Sequence, residues 1–171
     1  GASTLDDVKR AMNVLLKYNT PTIIMQCNTN YTAKEENFKF INLNVLKTYS
    51  ELYPSSELGL SDHTFGDETV LGAVSLGARY IEKHFTDDNN REGPDHKFSM
   101  NPLTWKQMVK SSRELELSMG DGEKKIEKNE KQSVIVQRRG AWLNKDKKKN
   151  EKLYIEDCKF LRPCPRNSIS I

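Results

Sequence analysis

Histidine and cysteine are both scarce, with three of each among 171 residues. The cysteines Cys27, Cys158 and Cys164 form no CxxC pair and are odd in number. A disulfide framework is therefore not expected, and a reducing, cytoplasmic setting fits. Cys27 closes an apolar run and is expected as a buried thiol. No apolar run comes near the roughly 20 residues that a membrane-crossing helix needs, so no membrane partner is expected. Hydrophobic residues at 36% against 30% charged suit a soluble, globular chain. The opening "GASTLDDVKRAM" has neither the basic start nor the apolar stretch of a signal peptide. It also begins without Met, so a processed, recombinant or partial chain is expected.

The formal net charge of +3 is unevenly spread: residues 121–152 hold 11 basic and 6 acidic side chains. Within them "EKKIEKNEK" alternates in sign, and "NKDKKKNEK" has no aromatic platform interleaved. That pattern reads as a solvated face or linker rather than a phosphate-tracking patch, and no nucleic-acid partner is expected.

The first 119 residues alternate in type. Leu5, Val8, Met12, Leu15 and Leu16 recur at helical spacing, with Ser3 as the expected cap and Asp6 three residues on. "PTIIMQC" is a continuous apolar run, as in a strand buried on both faces. Helical spacing returns over "ENFKFINLNVLKTYSELY". Strand "LGLSD", helix "DETVLGAVSLG" with Gly77 as its stop, and strand "ARYIEKHF" follow. In "NPLTWKQMVKSSRELELSMG" Asn101 caps, Pro102 takes the first helical position and Gly120 stops. Such alternation predicts an α/β fold with a parallel sheet. Past Gly120 the pattern changes to a linker or frayed helix, a strand at "SVIVQRR" and a further β-like segment in "KNEKLYIEDCKFLRP". A boundary is expected near 120–132. Three strands with their helices are too few for a closed eight-unit barrel of about 250 residues. The open edges they would leave suggest part of something larger.

Two of the three histidines, His63 and His84, end successive strands in "GLSDHT" and "EKHFT". Ligands of parallel α/β folds bind at the C-terminal ends of strands. Those ends bring Cys27, Thr29, Tyr31, Ser61, Asp62, His63, Glu82, Lys83 and His84 towards one rim. Two neutral imidazoles there suit a divalent transition metal with open positions, or are ordinary structural histidines. In the long polar loop "TDDNNREGPDHKFSMNP", Asp95 and His96 either face that rim or belong to a solvated acidic turn.

"GLSDHT", then "LGAVSLGARYIEKHFT" and "GPDHKFS", resemble the N-acetylneuraminate (sialic acid) synthase family, which includes synthases of legionaminic and pseudaminic acids. "GAST", "QCNTNY", "MGDGEKKIEKNEK" and "FLRPCPRNSI" extend the likeness along nearly the whole chain, in the family's order. The resemblance implies the C-terminal part of a (β/α)8 TIM barrel over residues 1–120. It further implies a linker over 121–132 and the start of an antifreeze-like (SAF), β-rich domain over 133–171. It implies condensation of phosphoenolpyruvate with an N-acetylated hexose such as N-acetylmannosamine, giving a nine-carbon acid and phosphate. By that match His63 and His84 hold a divalent ion, manganese in the first instance and magnesium or cobalt as alternatives. Ser61 and Thr29 contact phosphate, and Tyr31 and Asp95 contact the sugar. Arg162 reaches the N-acyl group from a partner subunit, which implies a homodimer with swapped antifreeze-like domains.

The family's first four barrel strands and most of its fifth have no counterpart here, and "QRRGAW" departs from the usual Arg-Arg-Ser-hydrophobic pattern. The chain alone is therefore expected to lack synthase activity, because a half-site cannot preorganise the required charges. A non-catalytic remnant or interaction fragment is the alternative. Another phosphoenolpyruvate-using barrel aldolase shares the chemistry, but such an enzyme is not expected to carry the tail.

Overall fold

A computed structural model of the chain describes residues 1–31, 34–165 and 168–169. The last part of the "RPCPRNSISI" tail lies partly outside those residues. The chain divides into two compact units, Gly1–Asp121 and Gly122–Ile171.

In the first unit α1 (Leu5–Leu15) is capped one residue later than expected. The Thr4 hydroxyl accepts from the Asp7 N–H, and the Asp7 carboxylate accepts from the Thr4 N–H at 2.9 Å. Ser3 donates instead to the Gly1 carbonyl. Both Ser3 and Thr4 have an aspartate three residues on, so local pattern did not separate them. Strand β1 (Ile23–Cys27) follows. The single long helix expected next is broken: a 3₁₀ segment, Glu35–Phe40, precedes α2 (Val45–Leu52). Two β1-side amides capture the intervening carbonyls, Gln26 that of Ile41 at 2.9 Å and Asn28 that of Phe40 at 3.1 Å. Asn42 then turns through a positive φ of 53°, which ends any continuous helix.

β2 (Glu57–Asp62), α3 (Glu68–Ser75), β3 (Ala78–Lys83) and α4 (Pro102–Met119) complete the unit. Gly77, at φ 93°, makes the turn between α3 and β3 that a side chain would resist. Asn101 caps α4 by accepting from the N–H groups of Leu103 and Thr104, with Pro102 at the first position. The sheet is parallel in the order β1-β2-β3. One face packs Leu58 and Leu60 against the helices, in a core with Met12, Leu46, Tyr49, Val70, Ala73 and Met108. The other face carries Met25, Cys27, Ser61, Tyr80 and Glu82, none of them buried. Cys27 is accordingly half-buried, not the sealed thiol expected from the apolar run. No helix among the described residues is long and apolar enough to cross a membrane.

The second unit contains α5 (Lys131–Gln137) and an antiparallel pair, β4 (Gly140–Leu143) with β5 (Cys158–Leu161). "SVIVQRR", expected as a strand, is therefore mostly helix, while strand "GAWL" was not anticipated. Upstream "EKNEK" begins the turn, with Glu130 accepting from the Glu127 N–H, and the chain continues helically from there. Asp157, buried, is the electrostatic centre of this unit. Lys147 at 2.6 Å, Lys145 at 3.0 Å and the Tyr154 N–H at 3.1 Å converge on it. Chiefly through Lys147, then Lys145 and Tyr154, they hold its carboxyl far below the usual carboxylate range.

Leu60→Ala should cost about 2–5 kcal/mol in urea unfolding of the first unit, as a sealed core leucine does; a near-neutral result would remove Leu60 from the core. Because the Asp157 carboxyl is depressed in the folded state, its contribution is intact above its ordinary value of 3.8 and is lost as pH falls below it. The melting temperature followed by Trp142 fluorescence in a Trp105→Phe background should hold from neutral pH down to about 3.8 and fall steeply below it. Asp157→Asn should start lower and flatten that slope, and an unchanged slope would refute the assignment.

Candidate functional site at the ends of the parallel strands

Alternation along a strand sends successive side chains to opposite faces. At the C-terminal ends of β2 and β3 this separates two neighbouring pairs. Asp62 and Lys83 are registered partners across the strands. They turn towards α3, where their side chains are 0% and 1% exposed and form an ion pair. The expectation that they join the rim is thus corrected, because the residue before each strand-end histidine must face the other way. Both carboxylate oxygens of Asp62 are used. Oδ1 accepts from the Thr64 N–H at 3.1 Å and hydroxyl at 2.9 Å, and Oδ2 accepts from the Thr69 hydroxyl at 2.7 Å. Lys83 Nζ donates to Asp62 and to the Thr64 carbonyl, the latter at 2.6 Å.

On the opposite side the two histidines meet. The rings of His63 and His84 lie 5.1 Å apart between centroids. His63 Nδ1 is 2.9 Å from the Asn28 carbonyl, which follows β1. A carbonyl only accepts, so Nδ1 carries a proton, and in the neutral ring the lone pair is on Nε2. His84 Nδ1 faces the Asp95 carboxylate at 3.5 Å. Tyr31 covers both rings, at 4.3 Å from His63 and 5.7 Å from His84. Phe98, buried, packs against His84 at 5.0 Å.

The remaining candidates divide clearly. Ser61 lies one alternation behind His63 and donates to Glu82 at 3.0 Å. Thr29 is exposed, beside the Asn28 whose carbonyl holds His63, and lines a shallow cavity with Ser3 and Thr4. Tyr31, Asp95, His63 and His84 are brought together. Arg162 belongs to the second unit, just past β5, and is exposed. His96 is not part of the pair: its Nδ1 lies 2.8 Å from the Thr86 hydroxyl, inside the loop. Asn28 and Phe98 carried no recognisable signal, since one acts through its backbone and the other through its ring alone.

Among the described residues no group of three or more His, Cys, Asp and Glu side chains is arranged to hold a metal. What the rim offers is two imidazoles, each with Nδ1 turned to an oxygen and Nε2 left as the donor. That donor set fits a divalent ion whose other positions go to water or substrate oxygens.

Residues 1–124 match the NeuB family. The chain is 37% identical to N,N'-diacetyllegionaminic acid synthase of Campylobacter jejuni subsp. jejuni serotype O:2, over 88% of this chain and 45% of that protein. It is 34% identical to pseudaminic acid synthase of the same organism, over 95% of this chain and 46% of that protein. A crystal structure of N-acetylneuraminic acid (sialic acid) synthetase from Leptospira borgpetersenii serovar Hardjo-bovis, in complex with citrate, superposes with a TM-score of 0.68 at 28% identity. That match covers 78% of this chain and 46% of the other. The chain thus spans a little under half the length of these relatives.

The geometry makes a spectroscopic prediction. Long-range ¹H–¹⁵N correlation spectra should show neutral His63 as the Nδ1–H tautomer; the Nε2–H form would break the Asn28 assignment.

Proposed function

Because the chain belongs to the NeuB family, we propose that it is the metal-holding, C-terminal portion of a nonulosonic acid synthase. The substrates proposed are phosphoenolpyruvate and an N-acetylated hexose of the N-acetylmannosamine kind, joined to give a nine-carbon acid and phosphate. The observation that carries this reading is the pair His63 and His84, 5.1 Å apart at adjacent strand ends and embedded in the family's motifs. On this reading Gly1–Asp121 belongs to a (β/α)8 barrel, and the β4–β5 unit begins an antifreeze-like domain.

His63 and His84 would hold the divalent ion, manganese in the first instance, through Nε2. When bound, such an ion supplies Lewis acidity towards the sugar aldehyde. The protein's own groups do the orienting. Asn28 fixes the His63 tautomer, and Asp95 and Phe98 both contact the His84 ring and hold it in place. Thr29 has an exposed hydroxyl after β1, and the Ser61 hydroxyl, which donates to Glu82, would turn from that carboxylate to receive a phosphate. Tyr31 packs against both imidazoles at steep angles and leaves its own ring half-exposed for a sugar face. Arg162, on the other unit, is proposed to serve a neighbouring subunit's N-acyl sugar in a swapped homodimer. The product class is proposed as legionaminic-like, a relative that the chain matches at 37% identity.

The test is phosphate release from phosphoenolpyruvate by a protein containing this chain and completed by the remaining barrel strands. Release should require both an N-acyl hexose and a divalent ion, and His63→Ala should reduce it to background. Manganese-dependent turnover unchanged in His63→Ala would sink the assignment. No release with any N-acyl hexose would favour the non-catalytic reading.

A further inference from the structure

A buried ion pair is a poor way to stabilise a sheet. Removing both charges from water costs about what their attraction returns, and apolar residues of similar volume commonly do as well or better. Asp62 and Lys83 nevertheless sit fully sealed between the sheet and α3, each immediately before a strand-end histidine. Their contacts all converge on the chain around His63. Asp62 takes the N–H of Thr64, Lys83 takes the carbonyl of Thr64, and Thr69 of α3 closes the cluster. His63 is therefore tied on both sides, through residues 62 and 64, to the lysine that precedes His84. A one-residue slip between β2 and β3 would register Lys83 with Ser61 or His63 and part its ammonium from the sealed Asp62 carboxylate, at high cost.

We propose that Asp62 and Lys83 are positioning residues that set the separation and orientation of His63 and His84, rather than contributors to net stability. This rests on the reading of the two histidines as a metal-holding pair. Neither residue touches the ion or a substrate; both act through the backbone of His63 and the register of β3.

The decisive variant is Asp62→Asn with Lys83→Met in the chain as it stands. The amide can keep the Thr64 and Thr69 bonds and the methionine fills the stem, so only the cross-strand tether is lost. Asp62→Leu with Lys83→Met serves as a second, fully apolar version. Three quantities are read: urea unfolding, Mn²⁺ affinity by calorimetry, and the nuclear Overhauser contact between the His63 and His84 ring protons without metal. The expected result is a folded protein whose Mn²⁺ affinity drops by about tenfold or more, as for lost supporting contacts behind metal ligands, and whose ring-to-ring contact disappears. A folded variant with wild-type affinity and an intact contact would overturn the proposal. Failure of both versions to fold would also overturn it, by making the pair a stability element. If the unaltered chain binds no Mn²⁺, the metal reading fails instead, and the ring contact alone decides the positioning claim.

Discussion

Around the sealed contact between Asp62 and Lys83 the first unit is organised. It joins the central strand to the edge strand at registered positions, and through Thr64 and Thr69 it fastens the β2–α3 turn to the helix that follows. Every polar group in the cluster has a partner, the condition under which burying charge is tolerable. Strand alternation then obliges the next residue on each strand to emerge on the other side. The two imidazoles at the rim are in that sense the reverse face of a buried salt bridge. Chemistry at the surface and electrostatics in the interior are coupled by one peptide unit on each strand.

The loop between β3 and α4 is held by a different kind of interaction. It buries Phe98 and Met100 together with the hydroxyl residues Thr86 and Ser99, and much of its order comes from side chains bonding to nearby backbone. Asn89 donates to the carbonyls of His96 and Ser99 and accepts from Asn101, the cap of α4. Thr86 meets His96, and the Met100 N–H donates to the His84 carbonyl at 2.9 Å. The consequence is that Asp95 and Phe98 are delivered to His84 by a loop latched to the start of a helix. A long polar loop that would otherwise sample many conformations is thereby made part of the rim.

In the second unit the basic run has a structural use. Lys145 and Lys147 fold back over Asp157, and Asn144 bonds to the backbone of Glu156 and Asp157. A segment whose composition reads as a solvated face or linker is mostly exposed, yet it turns two lysines onto a buried carboxylate. The match to the NeuB family ends at residue 124, so this unit lies almost wholly outside it. Trp142 donates to the carbonyls of Leu161 and Pro163 and so ties β4 to the residues on either side of Arg162.

Local rules in the sequence were enough for the order of helices and strands in the first unit, the parallel α/β class, the limits of α4 and the position of both histidines at strand ends. Those features depend on periodicity, caps and turn residues within a few positions of one another. The family motifs were legible for the same reason, as contiguous runs such as "SDHT" and "IEKHFT". The break before α2, the helix at "KQSVIVQ" and strand β4 were not legible, since carbonyl capture by Gln26 and Asn28 and pairing with β5 act between distant residues. The candidate site divides along the same line. Sequence named His63 and His84, but it could not say that Asp62 and Lys83 turn inward together, 21 residues apart, or that a carbonyl 35 residues away fixes the His63 ring. Register and long-range partners are settled only when strands pair and the core closes, because only then does an unpartnered charge become too costly to leave in place.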